Sequence, residues 1–348
     1  MSQPQVNATA SDGPPPLALP PNYRDRQTGL MVFGALQILI GVLCLAMVPF
    51  MLLGLALAAR TGGPAMNVRM MLPSAMVYLI AGGGFIWLGL GSIRARRWGR
   101  ALSLVVAWSW LVIGVFTLAF TAFLLPRSFA AGAAAAGGQP MPPGVQAMAV
   151  AVTLGILAVL FLILPGALVA FYQSRHVKAT CEARDPAPRW TDACPLPVLA
   201  VCLWLWFGAA TMLVMPLSGM SVLPLFGSLV SGFPAGVVFL ALALGLAAVG
   251  YLILRLRLIG WWIMMVLMAL SCASAAVTFA RIDVMEFYRA MGYPQQQVDV
   301  LQQVGFAKET MMVLSLGVML PWLLYLLFVR RYFKRVESPA ASPPPPCQ

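Results

Sequence analysis

Gly84-Phe-Ile-Trp-Leu-Gly-Leu-Gly-Ser-Ile-Arg-Ala-Arg-Arg-Trp-Gly99 decides the fold. The stretch leaves an apolar segment, carries Arg94, Arg96 and Arg97, and after Arg100 enters another apolar segment at once. Its skeleton returns 161 positions later, where Gly84, Gly89, Arg94, Arg96 and Gly99 become Gly245, Gly250, Arg255, Arg257 and Gly260. Val105/Val266, Thr117/Thr278 and Ala119/Ala280 continue the same register. Apolar, glycine-rich sequences match readily by chance, so the glycine and arginine spacing carries the weight. Separately, Leu164-Pro165 and Leu320-Pro321 stand equally far from Arg175/Lys178 and Arg331/Lys334. Each arginine turn reads as a basic hairpin between two membrane-length helices, the cytoplasmic pivot of a duplicated membrane protein.

Composition agrees. The 348 residues are 61% hydrophobic and 9% charged, too little charge to cover a soluble surface. Apolar runs recur that are long enough to cross a hydrocarbon core of about 30 Å as helices. Short alternating segments, the mark of a membrane β-barrel, are absent. The first apolar run follows a polar tail without a basic n-region, so it reads as a signal anchor and not a cleavable leader. The net charge of +12 sits at the ends of apolar runs, without an aromatic-interleaved basic patch. That pattern orients helices and attracts anionic headgroups, and it excludes nucleic acid as a partner.

In order, residues 1–27 are a Pro-rich tail expected to be disordered and cytoplasmic. Residues 28–174 hold four expected spans, about 29–59, 70–93, to 125, and 145–172, with Pro49 and Pro165 inside the first and fourth. Gly82, Gly83, Gly84, Gly89 and Gly91 give the second span a packing face. Residues 127–144 read as a flexible outer loop, and residues 175–195 as a charged cytoplasmic linker. Residues 196–335 hold the second four, about 196–215, 234–254, 259–281 and 310–329. Residues 217–233, apolar and uncharged, read either as an outer loop on the membrane or as a re-entrant turn. Residues 282–309 read as outer amphipathic helices lying on the interface, and 336–348 as a Pro-rich cytoplasmic tail.

The expected fold is therefore all-α, a polytopic bundle of eight transmembrane helices built as a parallel 4+4 repeat. With the amino terminus inside, inner segments hold sixteen Lys and Arg and outer segments six. The positive-inside rule then places both termini in the cytoplasm of a multi-pass inner (plasma) membrane protein.

Chemistry-bearing residues are scarce. None of the ten acidic residues falls well inside an expected span, which argues against ion-coupled transport. Neither an aspartate pair nor a His-Glu metal box exists, so no catalytic residue is assigned and an enzyme is not expected. His176 is the only histidine, which excludes a bis-histidine haem within the chain. His176, Cys181, Cys194 and Cys347 lack the short spacing of a zinc site and read as a loop with free thiols. No metal or cofactor is expected. The methionines read as packing filler. Gln37, the only amide deep in a span, either bonds to a neighbouring helix or lines a pathway, and the first is preferred.

Arg94, Arg96, Arg255 and Arg257 are the candidate site: topology anchors, or a pair of sites for anionic lipid headgroups, one per half. The proline tails offer polyproline II to a cytoplasmic protein partner. The function expected is a non-enzymatic bundle that binds partners or lipids. The alternative is a facilitator for a neutral or apolar solute, with a path between the repeats. A polar cavity between the halves would favour the facilitator, and a dry seam the binding bundle.

The run Cys181-Glu-Ala-Arg-Asp-Pro-Ala-Pro-Arg-Trp-Thr-Asp-Ala-Cys-Pro-Leu-Pro197 resembles a loop in bacterial polytopic membrane proteins of unassigned function. The opening Thr28-Gly-Leu-Met-Val-Phe-Gly-Ala-Leu-Gln37 is similar to theirs as well. The resemblance implies an inner-membrane protein and brings no activity.

Overall fold

Long apolar runs must satisfy their backbone polar groups internally in a membrane, and helices do so within one segment. A computed structural model describes residues 23–60, 71–135, 142–192, 194–219, 221–293, 295–304 and 308–337. The tail residues 1–22 and 338–348, with Cys347 and the terminal prolines, lie outside them, as do the loop residues 61–70. The helices are α1 (Gln27–Arg60), α2 (Leu72–Ile93), α3 (Arg97–Ala135), α4 (Pro143–Ala158), α5 (Leu164–Gln173) and α6 (Arg175–Arg184). They continue as α7 (Leu196–Leu217), α8 (Gly232–Leu254), α9 (Leu258–Arg281), α10 (Val284–Ala290), α11 (Gln295–Val304) and α12 (Lys308–Glu337). A π-helical turn, Val159–Ile163, joins α4 to α5 as one span. Among the described residues, seven helices are long and apolar enough to cross a membrane, and large apolar side chains such as Leu39, Phe50, Met148, Ile163 and Leu244 line their outsides.

Helix α1 pairs with α2, α2 with α3, and α3 with α4 and α5. In the second part of the chain α7 pairs with α8, α8 with α9, and α9 with α12. The α1–α2 pair is antiparallel and crosses at two glycine contacts. A Cβ on Gly89 would lie 2.5 Å from Gly34 O, and one on Gly82 would lie 2.9 Å from Gly41 O. The expected packing face on α2 is thus narrower than the sequence suggests: Gly83 and Gly84 have open space around them, as has Gly245. The 3.6-residue period explains this, since residues one or two apart point to different sides.

Three expectations gain detail or change in the structure. The span α3 does not stop near residue 125. It runs through Pro126 to Ala135, because the run Phe129–Ala135 is rich in alanine, the strongest helix former. Residues 175–195 are not a free linker. Helix α6 buries Val177, Thr180 and Cys181 beneath the first spans, and the Thr180 hydroxyl accepts from the Arg26 backbone N–H at 3.1 Å.

Residues 217–233, expected as an outer loop on the membrane or a re-entrant turn, are built around regular structure. They hold a β-hairpin, β1 (Val222–Leu225) and β2 (Ser228–Ser231), the one sheet among the described residues. Its two-residue turn, Phe226 at φ 46° and Gly227 at φ 83°, has the left-handed geometry that tight hairpins require. The turn leaves two N–H groups without strand partners. The Phe226 N–H donates to Ser274 Oγ at 3.1 Å, and the Gly227 N–H donates to Thr278 Oγ1 at 3.2 Å, both on α9. Ser274→Ala with Thr278→Val should leave both donors unmet and cost about 2–4 kcal/mol together. Thermal unfolding in detergent and proteolysis at the hairpin measure it; an unchanged midpoint and unchanged cleavage would contradict the docking.

Helices α10 and α11 occupy the region expected to be amphipathic, burying Val284, Met285 and Val298, and α11 reaches across to α3.

Candidate functional site

The site begins with how α2 and α8 end. The Arg96 N–H donates to Gly91 O and the Ala95 N–H to Ser92 O, at 2.9 and 2.8 Å. The Arg257 N–H donates to Leu252 O and the Leu256 N–H to Ile253 O, at 3.1 and 2.9 Å. Both are Schellman turns, which place one residue in the left-handed region after the cap. Here that residue is Ala95 (φ 49°) and Leu256 (φ 54°), not the usual glycine. Gly99 and Gly260 then let the next helix start against the turn: a Cβ would lie 2.7 Å from the Gly91 carbonyl carbon in one and 2.8 Å from Leu252 Cβ in the other.

The two turns differ in what surrounds them. At the first, the chain after α6 closes under the arginines. The Asp185 carboxylate is buried and accepts from Arg189 Nη2 at 2.7 Å, Arg189 Nε at 3.1 Å, Arg96 Nη1 at 3.4 Å and the Arg97 N–H at 3.3 Å. Asp192 accepts from the Arg189 N–H at 2.9 Å and pairs with Arg97 at 3.6 Å. The Arg189 hydrogen bonds, helped by the Arg97 N–H and the nearby guanidinium charges, hold the Asp185 carboxyl below its usual range against the opposing effect of burial. Above this cluster a cavity of about 290 Å³ is lined by Arg94, Arg96, Arg189, Leu90, Trp87 and Trp98. The two indoles stack with centroids 4.2 Å apart, and Gly91 gives Trp98 room: a Cβ there would lie 2.6 Å from its ring.

At the second turn Arg255 lies over its own Tyr251 ring, with Nε 3.2 Å from the hydroxyl, and Arg257 is exposed. The four expected arginines therefore separate. Arg94 and Arg96 share a cavity, while Arg255 and Arg257 stand on a separate open turn. Sequence reasoning missed Arg189, Asp185, Trp87 and Trp98. The four-residue spacing of Asp185 and Arg189 was a usable signal; the indole pair was not, because both tryptophans also suit a lipid-facing surface.

Because its folded pKa is depressed, Asp185 contributes stability that is complete above the unfolded carboxylate value of about 3.9. That contribution is lost as pH falls through the folded value. Asp185→Asn should cost about 1–2 kcal/mol at pH 7. The gap to the natural protein should stay constant from pH 8 to 5 and close below about pH 4. A gap independent of pH down to 3, or no gap at pH 7, would contradict the ion cluster.

Gln37 is buried on α1. Its amide donates to Ser103 Oγ on α3 at 3.0 Å and accepts from the Tyr172 hydroxyl on α5 at 3.4 Å, so it joins helices. Tyr172 also shares a hydrogen with Ser92 Oγ at 2.6 Å. No three His, Cys, Asp or Glu side chains converge among the described residues. Burial pushes the Cys181 and Cys194 thiols up to about 12 and about 11, so neither is a ready thiolate ligand.

Seven apolar spans with polar groups bonded inside define a multi-pass helical membrane protein. No family model, curated protein or solved structure matches this chain.

Proposed function

We propose that this is a non-enzymatic inner-membrane bundle that binds anionic lipid headgroups, and through them or its proline tails a partner, at its cytoplasmic face. In this reading α12 supplies an eighth crossing and the chain is a parallel 4+4 repeat with both termini inside. The observation that carries it is the pair of matched arginine turns, alike in hydrogen bonds and in the left-handed residue. The tie from the third helix of each unit to its last also recurs: Arg100 Nε donates to Tyr172 O, and Trp261 Nε1, at the matching position, donates to Leu326 O.

The seam between the units favours binding over solute passage. Leu88 and Leu102 pack there with Val198, Val201, Cys202 and Leu205 in one apolar cluster. A path for a solute needs a cavity between the units, and at this level apolar side chains occupy the seam.

The test is lipid retention. The protein is assembled in nanodiscs containing phosphatidylglycerol and studied by native mass spectrometry. Arg94→Ala, Arg96→Ala, Arg255→Ala and Arg257→Ala together should lower bound acidic lipid about thirtyfold at each turn, at about 1 kcal/mol per basic residue. Equal retention in a folded variant ends the proposal.

A further inference from the structure

Within the headgroup reading, on which this inference rests, the two arginine turns are not equivalent. We propose that the first turn alone is a built site for a headgroup carrying two phosphate charges, and that the second offers only a diffuse positive surface.

Charge is the first argument. Around the first turn Arg94, Arg96, Arg97 and Arg189 face two carboxylates, Asp185 and Asp192. These four arginines outnumber the two carboxylates by two, a surplus that suits a doubly charged anion. Asp185 also fixes Arg189 in a two-pronged pair and turns Arg96 toward the same point. Guanidinium groups held in place lose less entropy on binding than free ones, and their planar forks suit phosphate oxygens. Among the described residues Arg94 has no such tether, and it stands exposed at the rim.

Shape is the second argument. The cavity, about 290 Å³ and open on one side, has room for a group larger than a single ion. One wall is guanidinium and the other is the Trp87–Trp98 stack with Leu90. Trp87 and Leu90 are exposed on the lipid-facing side of α2, where acyl chains would continue from the phosphates. Tryptophan with one apolar and one wet side is the usual residue at this depth.

The second turn is built differently: its indole pair, Trp261 and Trp262, is already covered by the Arg330 guanidinium, and among the described residues no carboxylate tethers Arg255 or Arg257. The positions matching Trp87 and Trp98 are Ala248 and Ile259. Arg255 is engaged with Tyr251.

The experiment uses full-length protein in nanodiscs holding cardiolipin and phosphatidylglycerol at equal total charge, with native mass spectrometry as the readout. The natural protein should retain cardiolipin preferentially. Arg94→Ala, which removes an exposed side chain and leaves the Asp185 cluster intact, should lower cardiolipin retention about fivefold. Arg255→Ala, its match in the second turn, should leave it unchanged. Equal effects of the two variants, or no preference for cardiolipin in the natural protein, overturn the inference. Either result, alongside loss of phosphatidylglycerol in the fourfold arginine variant, leaves the broader headgroup reading standing. A second arm adds inorganic pyrophosphate to lipid-depleted protein and follows tryptophan fluorescence. Saturable quenching that Arg94→Ala abolishes, without cardiolipin preference in nanodiscs, assigns the cavity to a soluble diphosphate and overturns the lipid assignment.

Discussion

Gly89→Leu should abolish the folded bundle, while Gly84→Leu, five positions earlier on the same helix, should leave it intact. The two glycines belong to one apolar segment and look equivalent in sequence. They differ in their surroundings. At position 89 a Cβ would lie 2.5 Å from Gly34 O and 2.6 Å from an Ile38 side-chain carbon, so a leucine must push α1 away. The second crossing, Gly41 against Gly82, is equally tight and separates with it. Overpacking a close backbone contact costs about 3 kcal/mol at the upper end of its usual range, and here the lost helix pair adds to that. At position 84 nothing stands within 4 Å, so the new side chain meets lipid, which is as apolar as leucine. Size-exclusion profiles and thermal unfolding in mild detergent read both variants. A stable, monodisperse Gly89→Leu protein would contradict the α1–α2 packing.

The second large effect lies where α3 meets the π-helical turn. Pro165 has no N–H, and its ring collides with the carbonyl four residues back, which is that of Phe161. The helix answers with the π turn Val159–Ile163, in which the Leu164 N–H donates five residues back to Val159 O. The displaced Phe161 carbonyl then aims at α3, and only a glycine at 114 receives it: a Cβ there would sit well inside van der Waals contact distance of the oxygen. Gly114→Ala should therefore destabilise by about 3 kcal/mol, although alanine is the better helix former by about 1 kcal/mol. Pro165→Ala restores the missing donor and lets the Phe161 carbonyl return to its own helix. It should recover part of the loss in the double variant. Additive losses in the double-variant cycle, read by thermal unfolding, would contradict the link between the proline and the glycine.

Most of the helical layout was legible because span length, helix-end arginines and prolines act locally. Gly232–Leu254 and Leu258–Arg281 begin and end within two residues of where hydropathy puts them. The glycines of α2 were half legible. Composition identifies small residues, but which of them meet a neighbour depends on the rotation of the helix. The β-hairpin was not legible, since an apolar run of four residues looks alike in a strand and a loop. Its stability comes from Ser274 and Thr278, some fifty residues away. At the site, Arg94 and Arg96 stood out as charges at a helix end. Their partners Asp185 and Arg189 were marked only by their four-residue spacing, because a charged stretch between apolar segments is ordinarily solvated, and here α6 folds it back under the turn.

The account depends above all on both arginine turns lying on the same, inner side of the membrane. Trp98→Cys and Ile259→Cys occupy matched positions and leave every arginine in place; Ser228→Cys marks the exposed tip of the hairpin at the opposite end. Each is made in a chain without other cysteines and treated in intact cells with a thiol reagent that cannot cross the bilayer. The account predicts reaction at position 228 in intact cells, and at positions 98 and 259 only after permeabilisation. Reaction at either 98 or 259 in intact cells would contradict it.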